Sequence, residues 1–311
     1  MVLGPREITF RDFLAGLASG FLFFLSIAGQ STQLLAITLP ALPLLFIGLS
    51  HGFRHVLIAS LAAGLSAMLL TGGDNALVFA GFALLPICVF AQRLLMWRDS
   101  ATGKEWYPVL RALAELTALA ACLMAVMFVM AGVEGTHIND MLPHVTAEQM
   151  QDLDPKLATG YHDLIERWGF LMFPMGAWLG IGALYALAAA VNSYLRTHGQ
   201  ALRLGLAIAP HGLPEWLPLL FVPCVLLMFT GSAEDHLLGK IDFFVLLLPY
   251  FISGLALLHA VTLARQLTYR RLWITCFYVI MATTAWPAVP VIGLGFFVQL
   301  SEMLDRHKKI G

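Results

Sequence analysis

The sequence carries little charge. Only 12% of its 311 residues are Asp, Glu, Lys or Arg, whereas 59% are hydrophobic and the mean hydropathy is +0.80. Soluble domains hold roughly a quarter of their residues as charged side chains, so this composition excludes an ordinary soluble domain. The net charge of −1 and the lack of a long basic stretch also argue against nucleic acid as a partner.

Sequence signals for enzymatic and metal chemistry are scarce. The chain contains no Walker loop, no Gly-x-Gly-x-x-Gly that opens a helix and no His-Glu-x-x-His. Ser50 and His51 are adjacent, but no acidic residue lies near them in the chain, so they do not predict an intramembrane protease. The cysteines lie singly in apolar stretches, without Cys-x-x-Cys spacing, at Cys88, Cys122, Cys224 and Cys276. We expect no catalytic residues, no metal and no cofactor.

The sequence is rich in apolar stretches that are long enough to cross a bilayer. About 20 residues cross a hydrocarbon core of about 30 Å as a helix, and helices satisfy their own backbone hydrogen bonds in lipid. The stretches are Asp12–Gly29, Gln33–Gly48, Val56–Thr71, Ala76–Leu95, Tyr107–Gly132, Trp168–Leu195, Pro214–Thr230 and Ile241–Gln266. None alternates as a barrel strand does. The pattern predicts an all-α, polytopic transmembrane helix bundle with about eight full spans, forming one integral membrane domain over residues 1–311.

The last apolar region, Leu272–Leu300, is interrupted by Trp286–Pro290. Proline at both positions is expected to break the helix, which leaves two half-spans of about 14 residues, each about 21 Å long. We favour a broken or re-entrant hairpin here. A single kinked ninth span is the alternative.

The distribution of Lys and Arg predicts the orientation, because cytoplasmic loops are enriched in both. With the N-terminus inside, the inner segments hold Arg6, Arg11, Arg54, Arg93, Arg98, Lys104, Arg111, Arg196, Arg203, Arg265, Arg270 and Arg271. The outer segments hold only Lys156, Arg167 and Lys240. We therefore expect an inner-membrane protein with a cytoplasmic N-terminus and, given the hairpin, a cytoplasmic C-terminus.

The longest hydrophilic stretch, Val133–Arg167, falls outside in this topology and carries seven acidic residues. Thr146–Gln149 has the form of a capping box and predicts a short helix. An acidic extracytoplasmic loop of this kind either gates a pocket or is a solvated surface loop.

Ionisable groups within spans are costly and often functional. Glu115 lies inside the fifth span, one turn after Arg111, so it either binds a ligand or forms a local ion pair. Asp242, at the outer start of the eighth span, is a similar candidate or a helix cap.

Three further residues complete the candidate ligand set. Asn192 lies in the sixth span, His259 lies deep in the eighth and Trp286 stands at the proline break. For His259, a hydrogen-bonded core histidine is the alternative. With Glu115, these residues form our candidate binding site for a small uncharged or amphiphilic solute, because buried charge is scarce.

Small residues recur at four-residue spacing in several spans, including Gly16 and Gly20 in the first. Such pairs let helices approach closely. They either dock a membrane-protein partner or serve internal packing.

Three segments together resemble the YybS-like predicted membrane proteins of bacteria, a domain of unknown function. They are Leu42–Gly52 (LPLLFIGLSHG), Gly212–Trp216 (GLPEW) and Leu248–His259 (LPYFISGLALLH). That family is distantly similar to the substrate-binding S components of energy-coupling-factor transporters. The likeness implies solute capture, with Gly16 and Gly20 docking a coupling subunit and separate ATPases supplying energy. This chain departs from it in having more spans and an acidic outer loop. The alternative is a non-transporting scaffold or assembly partner of an envelope complex.

Overall fold

The computed structural model describes residues 10–28, 33–101, 103–133, 171–200, 206–230, 232–265, 269–284 and 286–310. Nearly all of these residues are helical, as predicted. The α-helices are α1 (Phe10–Ala28), α2 (Gln33–His51), α3 (Phe53–Thr71), α4 (Gly73–Phe79), α5 (Leu85–Leu95), α6 (Val109–Val133), α7 (Met172–Thr197), α8 (Phe221–Thr230), α9 (Ala233–Leu246), α10 (Leu248–Ala264), α11 (Arg270–Thr284) and α12 (Ala288–Ile310). A π-helical stretch, Ala80–Leu84, joins α4 to α5, and a 3₁₀ turn, Leu217–Leu220, precedes α8. The acidic loop lies outside the described residues except for Val133.

Seven helical segments in these ranges are long and apolar enough to cross a membrane. They are Phe10–Ala28, Phe53–Thr71, Gly73–Leu95, Val109–Met130, Phe173–Thr197, Asp235–Ala264 and Ala288–Arg306. Shorter apolar helices cover Thr38–His51, Leu217–Thr230 and Leu272–Met281. The protein is a multi-pass membrane protein.

Helix α1 distributes its side chains in the manner expected of a helix that faces lipid. Asp12, Ser19 and Ser26 are buried, while the larger apolar residues Phe13 and Phe21 are about half exposed. A water-soluble helix buries its large apolar side chains and exposes its polar ones. The reversed arrangement places polar groups between helices, where they find partners, and leaves the apolar surface for the bilayer.

The described chain divides into two compact units. Unit 1 comprises Met1–Thr117, Leu179–Glu215 and Leu248–Gly311, and unit 2 comprises Ala118–Trp178 and Trp216–Leu247. In unit 1, α1 packs along α3 and α2, and α10 packs along α12. In unit 2, α8 packs against α9.

The contact between α1 and α3 depends on the two glycines of the first span. A methyl group on Gly16 would collide with the backbone of Ala59 and the side chain of Ala62, and one on Gly20 would lie 2.7 Å from the carbonyl oxygen of Ala63. Both glycines are buried. Internal packing therefore occupies the face that was the candidate for docking a partner subunit.

A short antiparallel hairpin joins α5 to α6 and was not predicted. Its strands are β1 (Trp97–Ser100) and β2 (Gly103–Trp106), with Trp97 opposite Trp106. Both strands are almost fully exposed, and four-residue polar strands are too short to give a clear alternating pattern.

In the C-terminal region the helix is interrupted at one place rather than at two. The break falls between Thr284 and Ala288, at Trp286–Pro287, as predicted, but Pro290 lies inside the first turn of α12. Proline is tolerated there because the amide of a first-turn residue has no partner within the helix. Helix α12 consequently has 23 residues instead of a half-span, and it continues into the charged tail.

Candidate functional site

Glu115 is engaged in an ion pair, but not with the expected partner. Its Oε2 lies 2.5 Å from Nε of Arg93 on α5, and its Oε1 accepts a hydrogen bond of 2.5 Å from the hydroxyl of Tyr107. Arg111 instead places its guanidinium carbon 5.7 Å from the centroid of the Tyr107 ring. Of the two alternatives for Glu115, the ion pair is present, but its cation is Arg93 of α5, which sequence spacing does not reveal, and not Arg111.

The surroundings of Tyr107 raise the pKa of its phenol. Burial, followed by the hydrogen bond to Glu115 and the charge of that carboxylate, raises the pKa of Tyr107 to about 12. The network therefore holds a neutral phenol against a carboxylate just before α6 begins. Because Arg93 and Tyr107 already occupy Glu115, this residue is better placed to join the hairpin to the helices than to receive a ligand.

His259 and Trp286 do not meet in a common site. Nε2 of His259 lies 2.9 Å from the hydroxyl of Tyr278 on α11, which is the hydrogen-bonded histidine considered as the alternative. The side chain of Trp286 is 78% exposed. Within the described residues, no hydrogen bond or ion pair joins any two of Glu115, Asn192, His259 and Trp286. Their role in binding stays a prediction.

Asn192 is the predicted ligand residue whose surroundings most favour a binding role. It is 3% exposed, and its side-chain oxygen Oδ1 has no hydrogen-bond partner among the residues that the structure describes. Buried polar atoms in proteins nearly always have a partner, so an unsatisfied amide oxygen calls for an explanation. Two helical turns earlier, on the same face of α7, the hydroxyl of Tyr185 donates to the carbonyl oxygen of Leu206.

After α7, the described residues 206–215 form an irregular segment, which we call the strap. Side chains of α10 and α12 hold its backbone. The hydroxyl of Ser253 donates to the carbonyl oxygen of Pro210 at 2.6 Å, and Nε2 of Gln299 donates to that of Pro214 at 2.8 Å. Ser253 is 0% and Gln299 is 3% exposed. The strap is thus a stretch of non-helical backbone fixed by buried polar groups.

The carboxylate of Glu302, on α12, secures the centre of the strap. It lies 2.9 Å from Nδ1 of His211 and accepts hydrogen bonds from the amide of Gly212 at 3.2 and 3.3 Å. Gly212 has φ +104, a conformation that side chains with a Cβ rarely adopt. At the end of the strap, Arg306 binds Glu215 at 2.5 Å. Gly212, Pro214 and Glu215, which make these contacts, belong to Gly212–Trp216 (GLPEW), one of the three segments that carry the family resemblance.

One contact of the strap lies well inside a helical segment that is long enough to cross a membrane. Ser253 lies about three turns before the end of the Asp235–Ala264 segment, which is about 16 Å along a helix axis. Non-helical backbone within a bilayer core must be buried in protein or line a cavity. The two prolines of the strap, at positions 210 and 214, lack amide hydrogens, which reduces the number of donors to be satisfied.

A second polar cluster, between α1 and α3, was missed by the sequence reasoning. Nδ1 of His55 lies 2.9 Å from Oδ2 of Asp12, and the two side chains are 5% and 1% exposed. The ring of His51, at the end of α2, lies 5.4 Å from that of His55 between centroids. A signal was present in the sequence, since Asp12 precedes Gly16 and Ser19 on one helical face, but its partner is 43 residues away.

Ser50 is adjacent to this cluster and belongs to Gly48-Leu-Ser-His-Gly52, which has the Gly-x-Ser-x-Gly spacing of a nucleophile elbow. Ser50 contacts His51, whose ring adjoins that of His55, and His55 contacts Asp12, an acid that is distant from Ser50 in the chain. The structural context of an elbow is nevertheless missing, because Ser50 lies within helix α2 rather than at a strand-to-helix turn. Its hydroxyl is buried and donates to the carbonyl oxygen of Phe46 at 2.7 Å.

Among the described residues of unit 2, the buried acid is Asp242 on α9. It is 7% exposed, and its Oδ1 has no hydrogen-bond partner in the described part of the chain. On the same helix, Gly239 approaches the carbonyl oxygen of Cys224, which keeps α8 and α9 close. Asp242 lies deep within α9, so it does not cap the helix. That role belongs to Ser232, whose hydroxyl forms a capping box with Asp235.

Among the described residues, no group of three or more His, Cys, Asp or Glu side chains is arranged to hold a metal ion. Comparisons of the chain with protein-family models, with curated proteins and with solved structures gave no match.

Proposed function

We propose that this membrane protein is a solute-binding component of a transport system, resembling an S component. The observation that carries the proposal is the strap, whose irregular backbone is held among the helices of unit 1 by Tyr185, Ser253 and Gln299. Transporters place broken backbone of this kind at their substrate sites, because it offers carbonyl and amide groups to a ligand. The resemblance to the YybS-like family supports the same function.

The groups around the strap favour an uncharged or amphiphilic solute. On the three helices that contact the strap, α7, α10 and α12, the buried polar side chains among the described residues are Asn192, Ser253 and Gln299, all of them neutral. The two carboxylates in the contacts of the strap are both occupied, Glu302 by His211 and the amide of Gly212, and Glu215 by Arg306. A charged solute would leave its charge unpaired in a buried site, which is costly.

The proposal also states where the protein resides and which subunits supply the energy. Following the distribution of Lys and Arg, the protein resides in the inner membrane with both termini in the cytoplasm. It has no enzymatic activity of its own, and partner subunits supply the energy. Asn192 on α7 is the residue of this chain that we expect to contact the solute.

Mass spectrometry of the purified protein tests this function. The protein is extracted into nanodiscs with native lipids, and co-purified small molecules are identified. We expect a solute to accompany the unaltered chain and to be lost from Asn192→Leu, which keeps the side-chain volume but removes the amide. The matched control is Asn75→Leu, since Asn75 is an exposed residue of α4. Recovery of bulk lipid alone from the unaltered chain would contradict the proposal.

The alternative function is that of a non-transporting scaffold for other membrane or envelope proteins. The observation in its favour is close backbone packing, since Gly254 and Gly295 bring α10 and α12 into direct contact and Gly16 and Gly20 do the same for α1 and α3. A scaffold predicts no bound solute but stable co-purification of one partner protein. The nanodisc experiment therefore separates the two functions.

A further inference from the structure

We propose that the hairpin between α5 and α6 binds the headgroup layer of the bilayer, with Trp97 among the headgroups and Lys104 in contact with the phosphate of an anionic phospholipid. The strands of the hairpin are β1 (Trp97–Ser100) and β2 (Gly103–Trp106), and every residue of both strands except Trp106 is exposed. This surface is independent of the proposed transport function, because it contains no residue of the strap.

The position of the hairpin relative to the bilayer follows from the helices on either side of it. The membrane-crossing segment before the hairpin ends at Leu95, and the one after it begins at Val109. Two extended residues cover at most about 7 Å, and the headgroup layer on each side of the hydrocarbon core is about 5–8 Å thick. Trp97, two residues after the end of the first segment, therefore falls within the headgroup layer.

The base of the hairpin is fixed to both helices. The amide of Tyr107 donates to the carbonyl oxygen of Met96 at 2.9 Å, which continues the hydrogen bonds of the strands to the end of α5. The carboxylate of Glu115, on α6, contacts both Arg93 of α5 and the hydroxyl of Tyr107. Because no free linker separates the strands from the helices, the hairpin keeps a defined depth in the bilayer.

One face of the hairpin carries two aromatic side chains at its base and a lysine nearer its turn. In the register of the strands, Trp97 is opposite Trp106 and Asp99 is opposite Lys104, and side chains two positions apart on a strand share a face. Trp97 is 46% exposed. Tryptophan is enriched at the level of the headgroups, because its ring is amphipathic. The base of this face therefore suits the headgroup layer.

Lys104 brings a positive charge toward this aromatic base. Its ammonium nitrogen lies 4.0 Å from the centroid of the Trp97 ring. The ion pairs in the described part of the chain do not include Lys104, although Asp99 is opposite it. A lysine at a membrane surface lays its apolar stem along apolar groups and keeps its ammonium in the polar layer. The phosphate of a lipid beside Trp97 is the anion that this ammonium meets there.

The charges around the hairpin favour an anionic surface. Arg98 pairs with Glu105 across the strands, and this pair is exposed. Where α5 ends and α6 begins, Arg93 pairs with Glu115. From position 93 to position 115, the net charge is +1, because the charged side chains outside these pairs are Asp99, Lys104 and Arg111. A basic side chain at the surface of an anionic bilayer favours binding about fivefold.

Quenching of tryptophan fluorescence by brominated lipids tests the depth of Trp97. The full chain is placed in nanodiscs of phosphatidylcholine that carries bromine either near the headgroup or near the end of the acyl chains. The emission of Trp97 is the difference between the unaltered chain and Trp97→Phe. We expect shallow bromine to quench this emission more than deep bromine does, and aqueous iodide to quench it weakly. Quenching by iodide alone, or equal or stronger quenching by deep bromine, would overturn the inference.

The contact of Lys104 with an anionic lipid is measured in the same nanodiscs. A small fraction of the lipid is replaced by brominated phosphatidylglycerol or, for comparison, by the same fraction of brominated phosphatidylcholine. We expect the anionic lipid to be enriched beside Trp97 at least about fivefold, and Lys104→Gln to lower this enrichment about fivefold. Lys308→Gln is the matched control, because Lys308 is an exposed lysine near the end of α12, and it should leave the enrichment unchanged. An unaltered chain without enrichment, or a Lys104→Gln protein that keeps it, would show that the hairpin does not bind a lipid phosphate.

Discussion

Replacement of Gly295 by alanine probes the packing that holds unit 1 together. Gly295 lies on α12 where it crosses Tyr250 of α10. A methyl group there would lie 2.7 Å from the carbonyl carbon of Tyr250 and 2.9 Å from its Cα, and closer still to its carbonyl oxygen. Carbon atoms in contact prefer about 3.5–4.0 Å. Since the obstructing atoms are backbone, α10 and α12 must move apart by about 1 Å.

The cost of this displacement is estimated from two contributions. Overpacking of a close contact destabilises a protein by about 1–3 kcal/mol. The rings of Tyr250 and Phe296, stacked with centroids 3.7 Å apart beside this glycine, would also separate. Such a pair contributes about 0.5–1.5 kcal/mol. We expect Gly295→Ala to lower the free energy of unfolding by about 2–4 kcal/mol.

The assay is unfolding in mixed micelles with increasing denaturing detergent, followed by circular dichroism. Gly293→Ala is the matched control, because this glycine is exposed on the same helix and a methyl group there meets nothing within 4 Å. Alanine in a helix is favoured over glycine by about 0.5–1 kcal/mol, so the control should be neutral or stabilising. Equal unfolding midpoints for the two variants would show that α10 and α12 do not approach as closely as described here.

Three further outcomes follow from individual contacts. Glu115→Gln should lower the pKa of Tyr107 from about 12 toward 10 in an absorbance titration referenced to Tyr107→Phe. Because this pKa is raised in the folded state, the associated stability is full below pH 10 and is lost as the pH rises through about 12. Gln299→Leu should lower the free energy of unfolding in micelles by about 1–3 kcal/mol, because it leaves a buried strap carbonyl without its donor. Arg98→Ala should raise the depressed pKa of Glu105, measured by carboxyl NMR, yet leave the unfolding midpoint unchanged, because the pair is exposed.

The helical fold was predictable because it is set by composition along the chain. Any apolar stretch of about 20 residues in lipid must satisfy its backbone internally, so the positions of the helices follow from local sequence. The second span, Gln33–His51, begins where it was predicted to begin despite Pro40 and Pro43. The break near Trp286 was also predictable, since proline acts on the turn in which it lies.

The partners of the polar side chains were not predictable in the same way. Helical spacing offered Arg111 as one possible partner of Glu115, but Glu115 binds Arg93 of α5, on the other side of the hairpin from α6. Sequence spacing describes neighbours within one helix only. Which helix lies opposite depends on the connections and on how the helix faces fit together.

The sequence by itself determined that this is a membrane protein of many helices. It also determined where charged segments and prolines interrupt the apolar stretches, because hydrophobicity and backbone hydrogen bonding act locally. Only the tertiary structure decided that Asp12 meets His55, that Gly16 faces α3, and that the strap lies against α10 and α12. Those contacts join residues far apart in the chain, and their geometry is set by which helices approach closely enough to exclude lipid between them.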